Sequence, residues 1–377
     1  LVTADGGTTW YGYEEVNNDA SQPYEMWVVG DSEYGQFANN VGGTTGRRSS
    51  PVQITGTWLS VYAHDNAVFG IKEDNTLWAW GRGHEGALAQ NNEVDYSSPV
   101  QIPGTTWVNV DGDQAGVKTD GTLWTWGNNE FGQLGQNQGP SQLDNISSPV
   151  QVGSDTTWSS GDGKLDSGHK NTFAIKTDGT LWSWGGAGWG QLGLNFSSPG
   201  YISSPTQVPG TTWDKINTES STVLATKTDG TLWTWGYNAG YGAMGVNDRT
   251  NRSSPTQVPG TTWSIPRNAG YTSGAIKTDG TLWVWGRNDE GQLGLNSTIH
   301  YSSPVQIPGT TWSSLDLVAE WAMALKTDGT WWGWGNNSYG KLGQNDQVKY
   351  SSPVQIPGTT WEKLAIGNHY AIALKPE

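Results

Sequence analysis

Cysteine is absent from the 377 residues, and phenylalanine and methionine are rare, with five and three copies. Without cysteine the chain has no disulfide framework, no thiolate metal ligand and no cysteine nucleophile. Long apolar runs are missing as well. None approaches the roughly 18 residues that a membrane span needs, so membrane insertion is not expected.

Charge is also sparse. Charged residues make up 15% of the chain, against about 25% in an ordinary domain. The 35 acidic and 20 basic residues leave a formal net charge of −15. Basic residues scattered through an acidic chain do not form the patch that a phosphate backbone requires, so a nucleic-acid partner is not expected.

Tryptophan, tyrosine and glycine are abundant instead, with 24, 14 and 53 copies. Leucine, isoleucine, valine and phenylalanine are too few to build an ordinary aliphatic core. A disordered chain, however, is poor in aromatic residues. The composition therefore predicts a folded protein whose core is built largely from indole rings.

A Trp-x-Trp-Gly signature recurs about every 51 residues. After a degenerate first copy, Trp27-Val28-Val29-Gly30, the signature ends at Gly81, Gly127, Gly185, Gly236, Gly286 and Gly335. A Ser-Ser-Pro motif and a tryptophan after a threonine-rich turn keep the same phase. The chain therefore contains seven units of one internal repeat.

Each unit has the pattern of short β-strands. The run Lys-Thr-Asp-Gly-Thr-Leu-Trp places Asp-Gly between two apolar stretches, which favours a tight hairpin. The chain ends on the strand that elsewhere precedes this turn, and the first unit begins on the strand that elsewhere follows it. We therefore predict an all-β fold over residues 24–377, a seven-bladed β-propeller closed by pairing of its N- and C-terminal strands.

Residues 1–23 precede the repeats and contain acidic and aromatic residues but no lysine or arginine. Two interpretations stay open, an arm that docks onto a larger assembly and an extra edge strand. The candidate docking residues of the arm are Trp10, Tyr11, Tyr13, Glu14 and Glu15.

The repeat resembles that of the regulator of chromosome condensation superfamily. The resemblance is carried by Ala324-Leu325-Lys326-Thr327-Asp328-Gly329, Trp332-Gly333-Trp334-Gly335 and Tyr339-Gly340-Lys341-Leu342-Gly343. It implies a propeller fold. Members exchange nucleotides on a small GTPase, sense light, bind proteins or, like the type II β-lactamase inhibitory protein, inhibit enzymes. The tryptophan-rich form also resembles repeats in surface and virion proteins of aquatic bacteria and phages.

The segment before each Ala-x-Lys strand varies most in chemistry between units. In a closed propeller these segments ring one face, and a rigid frame that presents variable loops is typical of binding proteins. Aromatic residues in such loops resemble the anchors of protein interfaces. The candidate ligand-binding residues are His64, Asp65, Asp113, Gln114, His169, Lys170, Glu219, Tyr271, Glu320, Trp321, His369 and Tyr370.

Other periodic residues are interpreted as scaffold. An aromatic residue precedes the Gly-Gln-Leu-Gly turns, and its copies are Tyr34, Phe131, Trp189, Tyr241 and Tyr339. We expect these side chains to pack within the blades. Trp321, by contrast, has no periodic role.

One position departs from the superfamily. Its members commonly carry histidine five residues before the repeat lysine, and no unit has it here. Those positions hold Ala67, Asp113, Asn171, Thr222, Thr272, Trp321 and Tyr370. The departure disfavours a nucleotide-exchange function.

Motifs of catalysis are missing. The chain has no nucleophile elbow, no His-Glu-x-x-His pair and no phosphate-binding glycine loop. Asn109-x-Asp111-x-Asp113 imitates the start of a calcium loop but lacks its glycine and terminal glutamate. We predict no enzyme activity, no catalytic or metal-binding residue and no cofactor.

The sequence therefore predicts a non-enzymatic binding or adhesion propeller that recognises a protein or a glycan through one loop face. We expect it outside the cell, on a cell surface or on a virion. One alternative is a decoration or tail subunit of a virion, docked through residues 1–23 onto a larger particle or onto other copies of the chain. A second is an enzyme inhibitor, and a third, disfavoured, is a guanine-nucleotide exchange factor.

Overall fold

The fold is known from a computed structural model, which describes residues 24–40, 47–64, 66–111, 114–168, 170–196, 200–219, 221–238, 240–358 and 360–376. These residues form seven four-stranded antiparallel sheets. The strands are β1 (Tyr24–Gly30), β2 (Arg48–Trp58), β3 (Ser60–His64), β4 (Ala67–Ile71), β5 (Leu77–Gly81), β6 (Tyr96–Gln101), β7 (Trp107–Asp111), β8 (Ala115–Lys118), β9 (Leu123–Gly127), β10 (Ile146–Gln151), β11 (Leu165–Gly168), β12 (Asn171–Ile175), β13 (Leu181–Gly186), β14 (Tyr201–Gln207), β15 (Trp213–Thr218), β16 (Thr222–Lys227), β17 (Leu232–Gly236), β18 (Arg252–Val258), β19 (Trp263–Ala269), β20 (Thr272–Lys277), β21 (Leu282–Gly286), β22 (Tyr301–Ile307), β23 (Trp312–Val318), β24 (Trp321–Lys326), β25 (Trp331–Gly335), β26 (Tyr350–Gln355), β27 (Lys363–Ile366) and β28 (Tyr370–Pro376).

Six sheets are formed by four consecutive strands, and we number these blades 1 to 6, from β3–β6 to β23–β26. The first strands of neighbouring blades contact one another, as β15 does β19 and β19 does β23. They therefore lie innermost, around a central channel. The predicted seven-bladed β-propeller is confirmed.

Blade 7 closes the ring from both ends of the described chain, in the order β2-β1-β28-β27. Trp27 lies opposite Ala373, and Gly30 opposite Tyr370. Gly30 has a φ of 111°, and a side chain there would overlap the carbonyl oxygen of His369. The predicted pairing of the terminal strands is confirmed.

The Asp-Gly turns form the hairpins between second and third strands. In blade 2, Thr122 donates its amide and hydroxyl to Asp120 Oδ1 at 3.0 and 2.6 Å. Trp124 Nε1 donates to the Thr122 hydroxyl oxygen at 2.8 Å. These bonds lower the pKa of Asp120. The same three residue types make the same bonds in five other blades.

Neighbouring blades are joined by buried tryptophans. Trp285 of blade 5 is fully buried and donates from Nε1 to the carbonyl oxygen of Ala243 in blade 4, at 2.7 Å. Equivalent bonds join five further pairs of blades. Their donors are Trp80, Trp126, Trp184, Trp235 and Trp334. Large buried rings that also hydrogen-bond account for a rigid frame.

Because the strands alternate in direction, each end of the ring carries two kinds of connection. We call the end with the first-to-second and third-to-fourth connections the loop face, and the end with the Asp-Gly turns the turn face. Within the described residues, no helix is long and apolar enough to cross a membrane.

Candidate functional site

The predicted first-to-second loops lie on the loop face, and two of their residues meet at the mouth of the central channel. His64 ends β3 of blade 1 and Glu219 follows β15 of blade 4. His64 Nε2 lies 3.5 Å from Glu219 Oε2. The contact brings residues from opposite sides of the ring together.

Other predicted residues contact the aromatic position that precedes the Gly-Gln-Leu-Gly turn of the previous blade. The Lys170 ammonium lies 5.1 Å from the ring centre of Phe131. The rings of His369 and Tyr339 are 5.1 Å apart. We expected these aromatic residues to pack within their own blades. They instead reach across the blade boundary, because the third-to-fourth connection is long enough to lie over the next blade.

These contacts are most extensive on blades 3 to 5. Five rings follow one another there, and we name them the aromatic track: Trp189, Tyr237, Tyr271, Tyr241 and His300. The successive ring centres are 5.1, 5.9, 5.6 and 4.9 Å apart. Only Tyr271 belonged to the candidates from the sequence. Trp189 and Tyr271 are 51% and 43% exposed, so the track presents aromatic surface to solvent.

One end of the track is fixed by a polar network on blade 5. The Arg287 guanidinium lies 5.7 Å from the Tyr241 ring centre and donates to Asp289 at 2.6 Å. His300 Nε2 faces the same carboxylate at 3.3 Å. His300 Nδ1 accepts a hydrogen bond from the Asn288 amide at 2.9 Å, which fixes the ring with Nε2 towards Asp289.

Three candidates from the sequence are not available on the surface. Trp321 and Tyr370 are fully buried, and Gln114 is 4% exposed. Trp321 donates from Nε1 to the carbonyl oxygen of Asn368 in blade 7, at 3.1 Å. We therefore correct their description as surface residues: both aromatic rings lie at the start of second strands, where they join blades.

The positions where relatives carry histidine share this burial. Wherever the structure describes them they begin second strands and are buried: Ala67, Asn171, Thr222, Thr272, Trp321 and Tyr370. Thr222 and Thr272 donate their hydroxyls to the carbonyl oxygens of Tyr237 and Arg287, just after the third strand. These buried hydroxyls thus hold the backbone at the start of the third-to-fourth connections of the loop face.

Two candidates from the sequence, Glu320 and His369, lie at the boundary between blades 6 and 7. The Glu320 carboxylate accepts a hydrogen bond from Asn336 at 3.2 Å. Lys341 is almost fully buried, and burial lowers its pKa to about 8. Burial likewise lowers the pKa of His369, and the Lys341 charge adds to this effect.

Several candidates lie outside the described residues. These are Asp65, Asp113 and His169 of the loops, and Trp10, Tyr11, Tyr13, Glu14 and Glu15 of the arm. Their assignment stays a prediction.

The first strands carry a polar ring that the sequence did not reveal. Asp166 Oδ1 accepts from the Thr218 amide of the next blade at 2.9 Å, and Asp316 Oδ2 from the Ile366 amide at 2.9 Å. Among the residues that the structure describes, four first-strand side chains accept such a bond from the next blade, and we name them the inner ring: Asp111, Asp166, Asn217 and Asp316. Three of them stand four residues after the tryptophan of the threonine-rich turn, a spacing that marks this position.

Burial governs the charges of this ring. Burial and the neighbouring Asp111 carboxylate raise the pKa of Asp166. Nearby, Asp162 accepts from Lys215 at 2.6 Å and from Arg267 at 3.4 Å. The charges of Arg267 and Lys215 hold the pKa of Asp162 well below its ordinary value.

The calcium-like segment takes part in blade contacts instead. Asn109 donates to the carbonyl oxygen of Gly161 at 2.8 Å, and Asp111 accepts from the Ser167 amide. Within the described part of the chain, no three His, Cys, Asp or Glu residues are grouped to hold a metal ion.

Comparison with known proteins identifies the repeat. The family model "Regulator of chromosome condensation (RCC1) repeat" matches residues 74–110, 120–160, 279–314 and 328–374. Each match starts at a hairpin turn and runs into the next blade. No curated protein matches the chain in sequence.

Solved structures show the same fold. Human WBSCR16 is 18% identical with a TM-score of 0.78, and the match covers 94% of this chain and 99% of that one. Prp20p from Saccharomyces cerevisiae, studied with its binding to Gsp1p and histones, is 16% identical with a TM-score of 0.79, covering 95% and 92%. Yeast RCC1 (Prp20) bound to Kap60 is 16% identical with a TM-score of 0.80, covering 100% and 96%.

The fold and site thus define a seven-bladed β-propeller with a loop face of side chains paired across blade boundaries. The matches to the repeat model show which kind of repeat builds the blades. The chain is a tryptophan-rich β-propeller with RCC1-type repeats at the four matched places, and the solved structures share its fold.

Proposed function

We propose that this propeller is a non-enzymatic binding protein that recognises a partner protein through its loop face. One observation carries the proposal: side chains of neighbouring blades pair on this face, as Lys170 does with Phe131 and His369 with Tyr339. A frame held by hydrogen bonds between blades keeps such side chains in place, which lowers the entropy cost of binding.

The proposal of a protein partner is supported by proteins of the same fold that bind other proteins. Yeast Prp20p binds Gsp1p and histones, and yeast RCC1 (Prp20) binds Kap60. Nucleotide exchange is not part of the proposal, because none of the seven positions where relatives commonly carry histidine holds one here.

The proposal includes a setting outside the cell, on a cell surface or on a virion. The low charge, the absence of cysteine and the tryptophan-rich repeats support it. Residues 1–23 are proposed as the arm that attaches the propeller to a larger particle or to another copy of the chain. Fractionation of the native source, with and without deletion of residues 1–23, tests this part.

Matched charge reversals on the two faces test the main proposal. The full chain is used to capture proteins from its source, and a captured partner is purified and titrated by calorimetry. Glu33 and Glu130 are exposed on the loop face, and Glu73 and Glu362 on the turn face. The double variant Glu33→Arg/Glu130→Arg should weaken binding at least tenfold, whereas Glu73→Arg/Glu362→Arg should change it less than twofold.

The opposite ranking of the two double variants would contradict recognition through the loop face. Absence of any protein partner would contradict the proposed function itself.

A further inference from the structure

We infer that the aromatic track binds a neutral saccharide chain, either free or as the glycan of a glycoprotein. The site is one sector of the loop face, on blades 3 to 5. The inference adds a ligand class and does not depend on the partner protein proposed above.

The track combines exposure with fixed ring positions. The Trp189 indole is half exposed, packs against Tyr237 at 5.1 Å and is held by a hydrogen bond from its amide to Gln191 Oε1 at 2.8 Å. Tyr271 is 43% exposed and contacts both Tyr237 and Tyr241. Rings that are already positioned lose little freedom when a ligand covers them.

The polar atoms of the track point to a ligand rich in hydroxyl groups. In the described part of the chain, Trp189 Nε1 and the hydroxyls of Tyr237, Tyr241 and Tyr271 make no hydrogen bond. Each is a donor, and the hydroxyls are acceptors as well. A ligand for this surface must offer donors and acceptors along an apolar body.

A pyranose ring has this combination. Its C–H groups carry a small positive charge and are attracted to the negative face of an aromatic ring, as aromatic edges are. Its hydroxyls surround the ring and reach polar atoms beside the stacking surface. Neighbouring rings of the track pack edge to face, with interplanar angles of 63° to 77°, so the track presents both ring faces and ring edges to such a ligand.

Charge favours a neutral ligand over a charged one. Residues 179–213, which carry Trp189, contain no Asp, Glu, Lys, Arg or His. At the other end, Arg287 and His300 both face Asp289. A charged ligand would therefore find no free counter-ion on these two segments.

Calorimetric titration of the full chain with neutral hexasaccharides tests the inference. The probes are cellohexaose, laminarihexaose, xylohexaose, chitohexaose and maltohexaose, together with an array of neutral glycoprotein glycans. We expect at least one probe to bind. Binding of a hexasaccharide alone identifies a polysaccharide ligand, and binding of array glycans alone identifies a glycoprotein.

Substitutions locate the binding. Trp189→Ala and Tyr271→Ala should each weaken saccharide binding at least tenfold. The matched control is Tyr201→Ala, which removes an exposed ring outside the track and should leave affinity within twofold. Circular dichroism and thermal melting verify that each variant is folded.

Two results would overturn the inference. One is that no neutral saccharide binds, and the other is that binding survives the double variant Trp189→Ala/Tyr271→Ala. If a purified partner protein loses affinity in these variants while no saccharide binds, the track is a protein contact. The function proposed above would then stand and the saccharide inference would fall.

Discussion

Tyr370 of blade 7 donates a hydrogen bond of 2.6 Å from its hydroxyl to the carbonyl oxygen of Ala67 in blade 1. Both residues begin the second strand of their blade, and both are buried. The bond therefore joins blade 7, in which the two terminal strands pair, to blade 1. It supplements the pairing of β1 with β28, which holds blade 7 together internally.

Removing this single hydroxyl should loosen the closure. We expect Tyr370→Phe to lower the free energy of unfolding by about 1–2 kcal/mol, because a buried carbonyl loses its partner. Chemical denaturation measures the change. Tyr271→Phe, at an exposed ring on the same face, should stay within about 0.5 kcal/mol. An equal loss in both variants would argue against a special role of the Tyr370 hydroxyl.

Trp321 has a structural role at the boundary between blades 6 and 7. Blade 7 carries Val29 where six other blades carry the tryptophan that bonds to the preceding blade. Val29, Trp321 and Trp331 lie in one buried cluster. The two additional indoles of blade 6 thus fill the space that the smaller side chain leaves.

We therefore expect Trp321→Ala to act on stability. The loss of a buried indole should cost about 3–5 kcal/mol, measured by denaturant unfolding, with no separate loss of ligand affinity in the protein that remains folded. Trp189→Ala, at a half-exposed ring, should cost less than about 1 kcal/mol. If Trp321→Ala left stability unchanged but abolished partner binding, the residue would be a surface anchor after all.

The architecture could be predicted because each repeat marks its own turns. Asp-Gly fixes the hairpins, and six copies of Trp-x-Trp-Gly with one degenerate copy, all in one phase, fix the number of blades. The first and last described strands were expected to pair, and Trp27 lies opposite Ala373 in that pairing. Such local signals suffice for a fold whose contacts are mostly between neighbouring strands.

The candidate site was harder to predict, because position in the repeat does not determine exposure. Tyr271 and Tyr370 stand within two residues of the same point in the repeat, yet one is exposed and the other fully buried. Which of them faces solvent depends on the next blade. Trp189 was missed for the opposite reason, since its periodic spacing favoured a role in packing.

The lysine that precedes the hairpin turn in blades 1 to 6 allows a test of what stabilises the blades. The ammonium of Lys118 lies 4.6 and 4.0 Å from the ring centres of Trp107 and Trp124, and the lysines of five other blades are placed likewise. Lys118→Met keeps the apolar stem and removes the charge. We expect a loss of about 1–2 kcal/mol in the free energy of unfolding.

The control for this substitution is Lys349→Met. Lys349 is mostly exposed and pairs with Glu290, and a surface ion pair contributes about 0–1 kcal/mol. A loss in Lys118→Met no larger than in the control would show that the paired rings do not use the charge.

Asp316 should make stability depend on pH. Burial raises its pKa to about 6, although Arg267 and the amides of Ile366 and Leu317 oppose this. Since the folded pKa lies above the unfolded one, the folded protein binds the proton more tightly. Its contribution to stability is therefore fully present below about pH 4 and is lost as pH rises through about 6.

The measurement compares wild type with Asp316→Asn, which cannot titrate. The unfolding free energy of wild type, relative to the variant, should fall by about 2 kcal/mol between pH 4 and pH 7. Asp120→Asn is a control of opposite sign. The Asp120 pKa is lowered by its bonds from Thr122, so wild type should gain stability over that variant as pH rises to the ordinary aspartate pKa of about 4. A constant difference between wild type and Asp316→Asn from pH 4 to 7 would mean that the Asp316 carboxylate is as well solvated in the folded channel as in the unfolded chain.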